Sequence, residues 1–255
     1  MKFKIIFSTG CLFNLPLIQV AEIAQKSGFG GLELILNDPG LFLQKKELVK
    51  VDSILPIVSL HAPFRDFSKW GGHLEAWDKT IGIAKMLPHV QNITFHPPIF
   101  RLKEIAHFWW FVKTKNLPKD LDSPIPLSLE NLPVQEENFM TTSAISRLLN
   151  QCKNKGVLLT LDVCHLGVSG GDILKVFEVI QDWTVVNNIH FSDVRGFKEH
   201  LFPGQGELPL FEFVQRLATT NYDKTLTLEV GPASLPQEQK AIIAKLTDFL
   251  EQIEA

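Results

Sequence analysis

The sequence predicts a closed parallel (β/α)8 barrel. Eight short runs rich in β-branched and aromatic residues alternate with eight longer segments of helical period along the 255 residues. The runs are nearly apolar throughout, so a strand built from one needs cover on both faces, and each parallel crossover needs a helix. A doubly wound open sheet is the rival, but no Gly-rich phosphate loop follows the first run.

In chain order, KIIFS (4–8) gives the first strand, and a helix over 16–28 follows that Gly28 can close. GLELIL (31–36) with a helix over 41–54, PIVSLHA (56–62) with 72–87, and NITFH (92–96) with 101–116 make the next three units. PLSLENL (126–132) leads into a helix over 141–155, ended by Gly156. LLTLDVC (158–164) leads into 172–182, where Asp172 can cap the segment ILKVFEVI. NIHFSD (188–193) with 209–220 and TLTLEV (225–230) with 237–254 close the series. No linker, low-complexity segment or shift in composition divides the chain, so residues 1–255 are read as one barrel domain of the TIM type.

Bulk properties narrow the function. A net charge of -3 and a pI near 6.2 leave no general footprint for nucleic acid, which is therefore not the expected partner. Cys11, Cys152 and Cys164 are too few and too scattered for a disulfide framework or a CxxC metal site, which suits a reducing cytoplasm. Only Ile5, Ile6 and Phe7 form an apolar stretch before Cys11, short of an export signal, and no run approaches the length of a membrane span. A cytoplasmic protein without membrane contact is expected.

The C-terminal ends of the strands in such a barrel form one rim, and the chemistry sits there. The rim receives His61, His96, Glu130, Asp162 with His165, His190 with Asp193, and Glu229, from six of the eight strands. The intervals from His61 through His96, Glu130, Asp162 and His190 to Glu229 are 35, 34, 32, 28 and 39 residues, one strand-helix unit each. Carboxylates sharing one rim repel each other unless compensated, and a divalent cation relieves them all. Asp162 ends its strand facing the centre; strict alternation would send His165 to the other face, so the chain must turn between them, eased by Gly167, Gly170 and Gly171.

The stretches GFGGLEL (28–34), LHAP (60–63), FHPP (95–98), LSLENL (127–132), LDVCHL (161–166), HFSDVRGFKEHLFPGQGEL (190–208) and LTLEV (226–230) make the chain resemble the xylose isomerase-like barrel superfamily. That superfamily includes sugar and sugar-phosphate isomerases and epimerases, and also endonuclease IV. In the isomerase and epimerase branch, the resemblance implies one divalent metal held by Glu130, Asp162, His190 and Glu229, with the two glutamates also exchanging protons beside the carbonyl of a bound sugar. It implies that His165 polarises a substrate oxygen, that Arg195, near an arginine position of that branch, does likewise, and that Glu136 supports a hydroxyl. In the nuclease branch, it implies three zinc ions and adds His61, His96, His165 and His200 as ligands. One ligand of that pattern fails, because Lys198 stands where an aspartate is expected, unless Glu199 or Asp193 substitutes.

The expectation is a metal-dependent isomerase or epimerase of carbohydrate metabolism, acting on a small sugar, sugar phosphate or related hydroxy-carbonyl compound through an enediolate. Its cofactor is one divalent ion (Mn, Mg, Co, Zn or Fe), with a second ion open. The alternatives are a phosphoester hydrolase of the endonuclease IV type and a non-catalytic sugar-binding barrel. GQGEL (204–208) is a tight turn that could offer backbone N–H groups to a phosphate, and Glu33 is read as a satisfied carboxylate inside the barrel. The aromatic segment IAHFWWFV (105–112) could form a lid, a homo-oligomer surface or a covered face, and His73, His89 and His107 are placed off the rim.

Overall fold

A computed structural model describes residues 2–98, 123–133 and 142–254. The helix expected over 101–116, the aromatic segment 105–112 with His107, and Glu136 lie outside the described residues.

Eight strands close into one barrel: β1 (Lys4–Ser8), β2 (Leu32–Ile35), β3 (Ile57–His61), β4 (Asn92–Phe95), β5 (Leu127–Glu130), β6 (Leu158–Asp162), β7 (Val186–Phe191) and, after a hairpin, β10 (Thr225–Leu228). All eight neighbour pairs are parallel, and β1 closes onto β10 with Phe7 opposite Leu228. The hairpin is β8 (Asp193–Arg195) with β9 (Lys198–Leu201), an antiparallel pair that the apolar pattern did not announce.

Helices cover the barrel with one apolar stripe each. Leu210, Phe213, Val214 and Leu217 are the buried face of the helix Leu210–Ala218, at the spacing of a single helical side. The C-terminal helix Gln239–Glu254 does the same with Ile242, Leu246, Phe249, Leu250 and Ile253. The helix Leu17–Ser27 ends on Gly28 at φ 99°, whose N–H reaches back to Ala24 and Gln25, as its glycine foretold. Among the described residues no helix is long and apolar enough to cross a membrane.

One expected helix and one expected strand differ. The segment 172–182 is only the 3-10 turn Ile173–Lys175 and the helix Val176–Val179, because Asp172 caps its start through Leu174 N and Ile180 already turns extended. The expected strand 158–164 stops at Asp162, where Val163–Val168 begins a short helix that Asp162 itself caps. Capping by a strand's last residue is why the strand and its turn share one carboxylate.

The barrel lumen is polar. Ser59, Asn92, Thr94, Ser128, Thr160, Asn187, Asn188 and Thr227 are all buried and hydrogen-bond to one another across the strands, as in Ser128 to Thr160 at 2.6 Å and Thr94 to Thr160 at 2.9 Å. Burying them costs little because their groups find partners. They form a hydrogen-bonded floor beneath the rim.

Candidate metal centre

Six rim residues stand two positions beyond a polar residue of that floor: Ser59 before His61, Thr94 before His96, Ser128 before Glu130, Thr160 before Asp162, Asn188 before His190 and Thr227 before Glu229. Residues two apart on a strand share a face, so each of these six strands carries its rim residue inward above its floor residue.

Glu130, Asp162, His190 and Glu229 come together, each with one ligand-type atom within 4.8 Å of the others. His190 Nδ1 lies 2.8 Å from Glu229 Oε2, 3.2 Å from Glu130 Oε1 and 3.8 Å from Asp162 Oδ2. One ring N–H cannot serve three carboxylates, and among the described residues Asp162 Oδ2 and Glu229 Oε2 are buried without a hydrogen bond. Although Glu229 Oε2 is the nearest of the three, it lies off the direction of a hydrogen bond; the N–H points to Glu130 instead. Converging carboxylate oxygens with lone pairs unmet, beside one imidazole nitrogen, match the donor set of a divalent cation.

Two further groups flank this one and share its edge. His61, His96 and Glu130 form the first, with both Nε2 atoms 3.0 Å from Glu130 Oε2. His165, Glu199 and His200 form the second. In three of these histidines Nδ1 faces a backbone carbonyl: His61 to Ala62 at 2.8 Å, His165 to Asn131 at 2.9 Å and His200 to Glu229 at 3.1 Å. An Nδ1–H donated there leaves the Nε2 lone pair available to a ligand. His200 adopts a left-handed backbone at φ 55°, held by its N–H to Cys164 Sγ and by its carbonyl, which accepts from Gly231 N at 2.7 Å.

Charge pairing dominates the electrostatics. Burial alone would lower the basicity of His165, but the Asp162 and Glu130 carboxylates raise its pKa to about 10. Burial likewise opposes the charge on Glu229, yet the His190 imidazolium holds its pKa at about 2. Glu130 is held well below the carboxylate range against burial by His190 and His96, whereas burial and then the neighbouring Glu130 push Asp162 up. His190 is raised by Glu229, Glu33 and Glu130 despite its burial. Burial pushes the three free cysteine thiols up, Cys152 to about 12, which fits small packing residues rather than nucleophiles.

Residues 21–253 match the family described as xylose isomerase-like TIM barrel. The chain belongs to that family. Across it, the xylose isomerase-like chain is 23% identical to an uncharacterized protein of Mycobacterium tuberculosis over 274 residues, covering 96% of each. It is similar in fold to D-allulose 3-epimerase from Methylomonas sp., with a TM-score of 0.67 and 16% identity over 99% of this chain and 98% of that one. It is equally similar to 3-keto-D-glucoside 4-epimerase from Escherichia coli, with a TM-score of 0.67 and 14% identity over 99% of both chains.

Within this xylose isomerase-like barrel the other predicted residues fall as follows. Glu199 joins His165 and His200, next to the exposed Lys198. Asp193 does not join; it accepts the N–H groups of Val194, Gly204, Gly206 and Leu208 at 2.8–3.0 Å. With Gln205 N donating to Phe202 O and Glu207 N to Val194 O, all the amides of GQGEL are consumed, which leaves the tight turn rather than a phosphate cradle. Arg195 is exposed and donates to Gln205 O at 2.8 Å, a contact with the loop that follows β9 rather than with the rim carboxylates. His73 is buried against Phe67 and Trp77, and half-exposed His89 pairs with Asp52 at 2.8 Å, both away from the rim. Asn131 went unpredicted. Its side chain pairs with Asp162 N and O at 2.7 and 2.8 Å, and its own carbonyl receives His165, so one residue sets both ends of the DxxH turn. The only sequence signal was its place directly after Glu130.

Proposed function

We propose that the chain is a divalent-metal-dependent isomerase or epimerase of a small sugar, sugar phosphate or related hydroxy-carbonyl compound. The observation that carries this reading is the convergence of Glu130, Asp162, His190 and Glu229 on one point at the barrel mouth. These four would hold the ion, which when bound lowers the cost of negative charge on substrate oxygens. The similarity in fold to two sugar epimerases supports the same class.

Glu130 and Glu229 are the proton-transfer pair. One carboxylate takes the proton from the carbon beside the carbonyl, and that C–H electron pair moves into an enediolate. For isomerisation the same carboxylate returns that proton to the neighbouring carbon while the hydroxyl proton there passes to the former carbonyl oxygen; for inversion the other glutamate, protonated by water, delivers its proton to the opposite face and the first gives its own up to water. Glu229, ionised down to about pH 2, enters as a base. His165, at the edge of the centre, is placed to donate a hydrogen bond to a substrate oxygen.

A second reading, a phosphoester hydrolase with two or three ions, is favoured by one observation: both flanking groups are assembled, with Glu199 beside His165 and His200. A panel of ketoses, aldoses and their phosphates incubated with the protein and Mn2+ in D2O separates the two. Epimer or isomer carrying deuterium beside the carbonyl, lost in Glu130→Gln and Glu229→Gln, is expected. Cleavage of abasic-site DNA or phosphate esters without such exchange would establish the hydrolase instead.

A further inference from the structure

We infer that Glu33 is a positioning residue for this centre: it receives the Nε2–H of His190 and so turns Nδ1 toward the cation. The inference rests on the metal reading above.

Glu33 and His190 are both fully buried. Burying a carboxylate in a barrel lumen is costly, so its partners must compensate. Oε2 of Glu33 accepts from Ser59 Oγ at 2.7 Å and from Asn188 Nδ2 at 2.8 Å, and His190 Nε2 lies 3.1 Å from Oε1 and 3.3 Å from Oε2. Ser59 is the ladder neighbour of Glu33 on β3, whereas Asn188 and His190 belong to β7, which β1 and β10 separate from β2. Glu33 therefore reaches across the lumen and grips two successive inward residues of one strand.

His190 needs such a partner more than the other histidines do. His61, His165 and His200 sit where loop carbonyls are free to take their Nδ1–H. His190 lies inside the ladder, opposite Asp162 on β6 and Thr227 on β10, where neighbouring carbonyls already serve the strands. Only a side chain from within the lumen can fix its ring. A cation would replace the Nδ1 proton that faces Glu130 in its absence; the ring is then neutral with its one N–H on Nε2, held by Glu33, and the Nδ1 lone pair is directed among Glu130, Asp162 and Glu229.

The test is calorimetric titration of Mn2+ into the chelator-stripped full chain as wild type, Glu33→Gln and Glu33→Asp. Glu33→Asp keeps the charge but withdraws it by one methylene, breaking the contact, and remains available if Glu33→Gln does not fold. The expected result is a rise in Kd of about 10- to 100-fold in each folded variant, with a changed visible spectrum in the Co2+ form. A residue kept for packing alone would shift the thermal midpoint of the metal-free protein and leave Kd and spectrum unchanged. Wild-type Kd in either variant overturns the inference alone; a wild type that binds no Mn2+ overturns the metal reading and the inference with it.

Discussion

Asp162 Oδ1 accepts the backbone N–H of His165 at 2.7 Å, which leaves Oδ2 of the same carboxylate facing His190 and the rim glutamates. One oxygen starts the helix that carries His165, and the other belongs to the centre. The Asp162→Asn variant keeps an oxygen for the cap and removes the charge. Mn2+ affinity is expected to fall by more than the about 10- to 100-fold that loss of an outer partner costs. The thermal midpoint of the metal-free variant should hold or rise, because burial, and after it the like charge of Glu130, disfavours the Asp162 carboxylate by more than its pairing with His165 returns. A midpoint that drops with metal affinity intact would assign Asp162 to the cap alone.

The metal-free protein should lose stability on both sides of neutrality. His165 titrates at about 10 in the fold, against about 6.5 in the unfolded chain. Its raised pKa stabilises fully below about pH 6.5 and is lost as the pH climbs toward 10. Glu229 titrates at about 2 against about 4.3 unfolded, so its contribution is present above that value and is lost as the pH falls toward 2. A cation competes with the protons on the histidines, so the rise in thermal midpoint given by Mn2+ should grow between pH 6.5 and 9. A rise that stays constant or shrinks over that range contradicts the site.

Gly206→Ala should unsettle the loop that follows the hairpin. A Cβ there would collide with the Asp193 carboxylate and the Val194 carbonyl, the atoms that tie residues 204–208 to β8. The cost expected is about 1–3 kcal/mol by chemical denaturation, or roughly 2–4 °C of thermal midpoint for each kcal/mol in a chain of this size. Gly204→Ala, at φ 84° but in open space, is strained without a collision and serves as the comparison. Equal midpoints for Gly206→Ala and wild type would show that the tie to Asp193 is dispensable.

Much of this site was legible in the chain because a barrel repeats its geometry. Strand, helix and strand again bring His61, His96, Glu130, Asp162, His190 and Glu229 to equivalent positions, so the unit-length intervals sufficed to place them on one rim. The pattern of a polar residue, an apolar residue and then a ligand-type residue, as in Ser59-Leu60-His61 or Thr160-Leu161-Asp162, is a stronger local signal than the apolar runs that concealed it. Contacts between distant strands left no such trace. Nothing near Glu33 announces that it meets His190, 157 residues away, and nothing in the order Lys198-Glu199-His200 shows which residue faces inward until the β8–β9 hairpin is placed. The family resemblance made Arg195 a substrate ligand, and nothing in the sequence near it announced the hydrogen bond that its exposed guanidinium makes to Gln205 O, ten residues on.

The central claim is that a doubly charged ion binds between Glu130, Asp162, His190 and Glu229. Anomalous diffraction from crystals of protein purified without chelator, paired with elemental analysis of the same sample, tests it most directly. The account predicts one full-occupancy anomalous peak touching all four side chains. No metal in the sample, and no peak there after a Mn2+ soak, would contradict it.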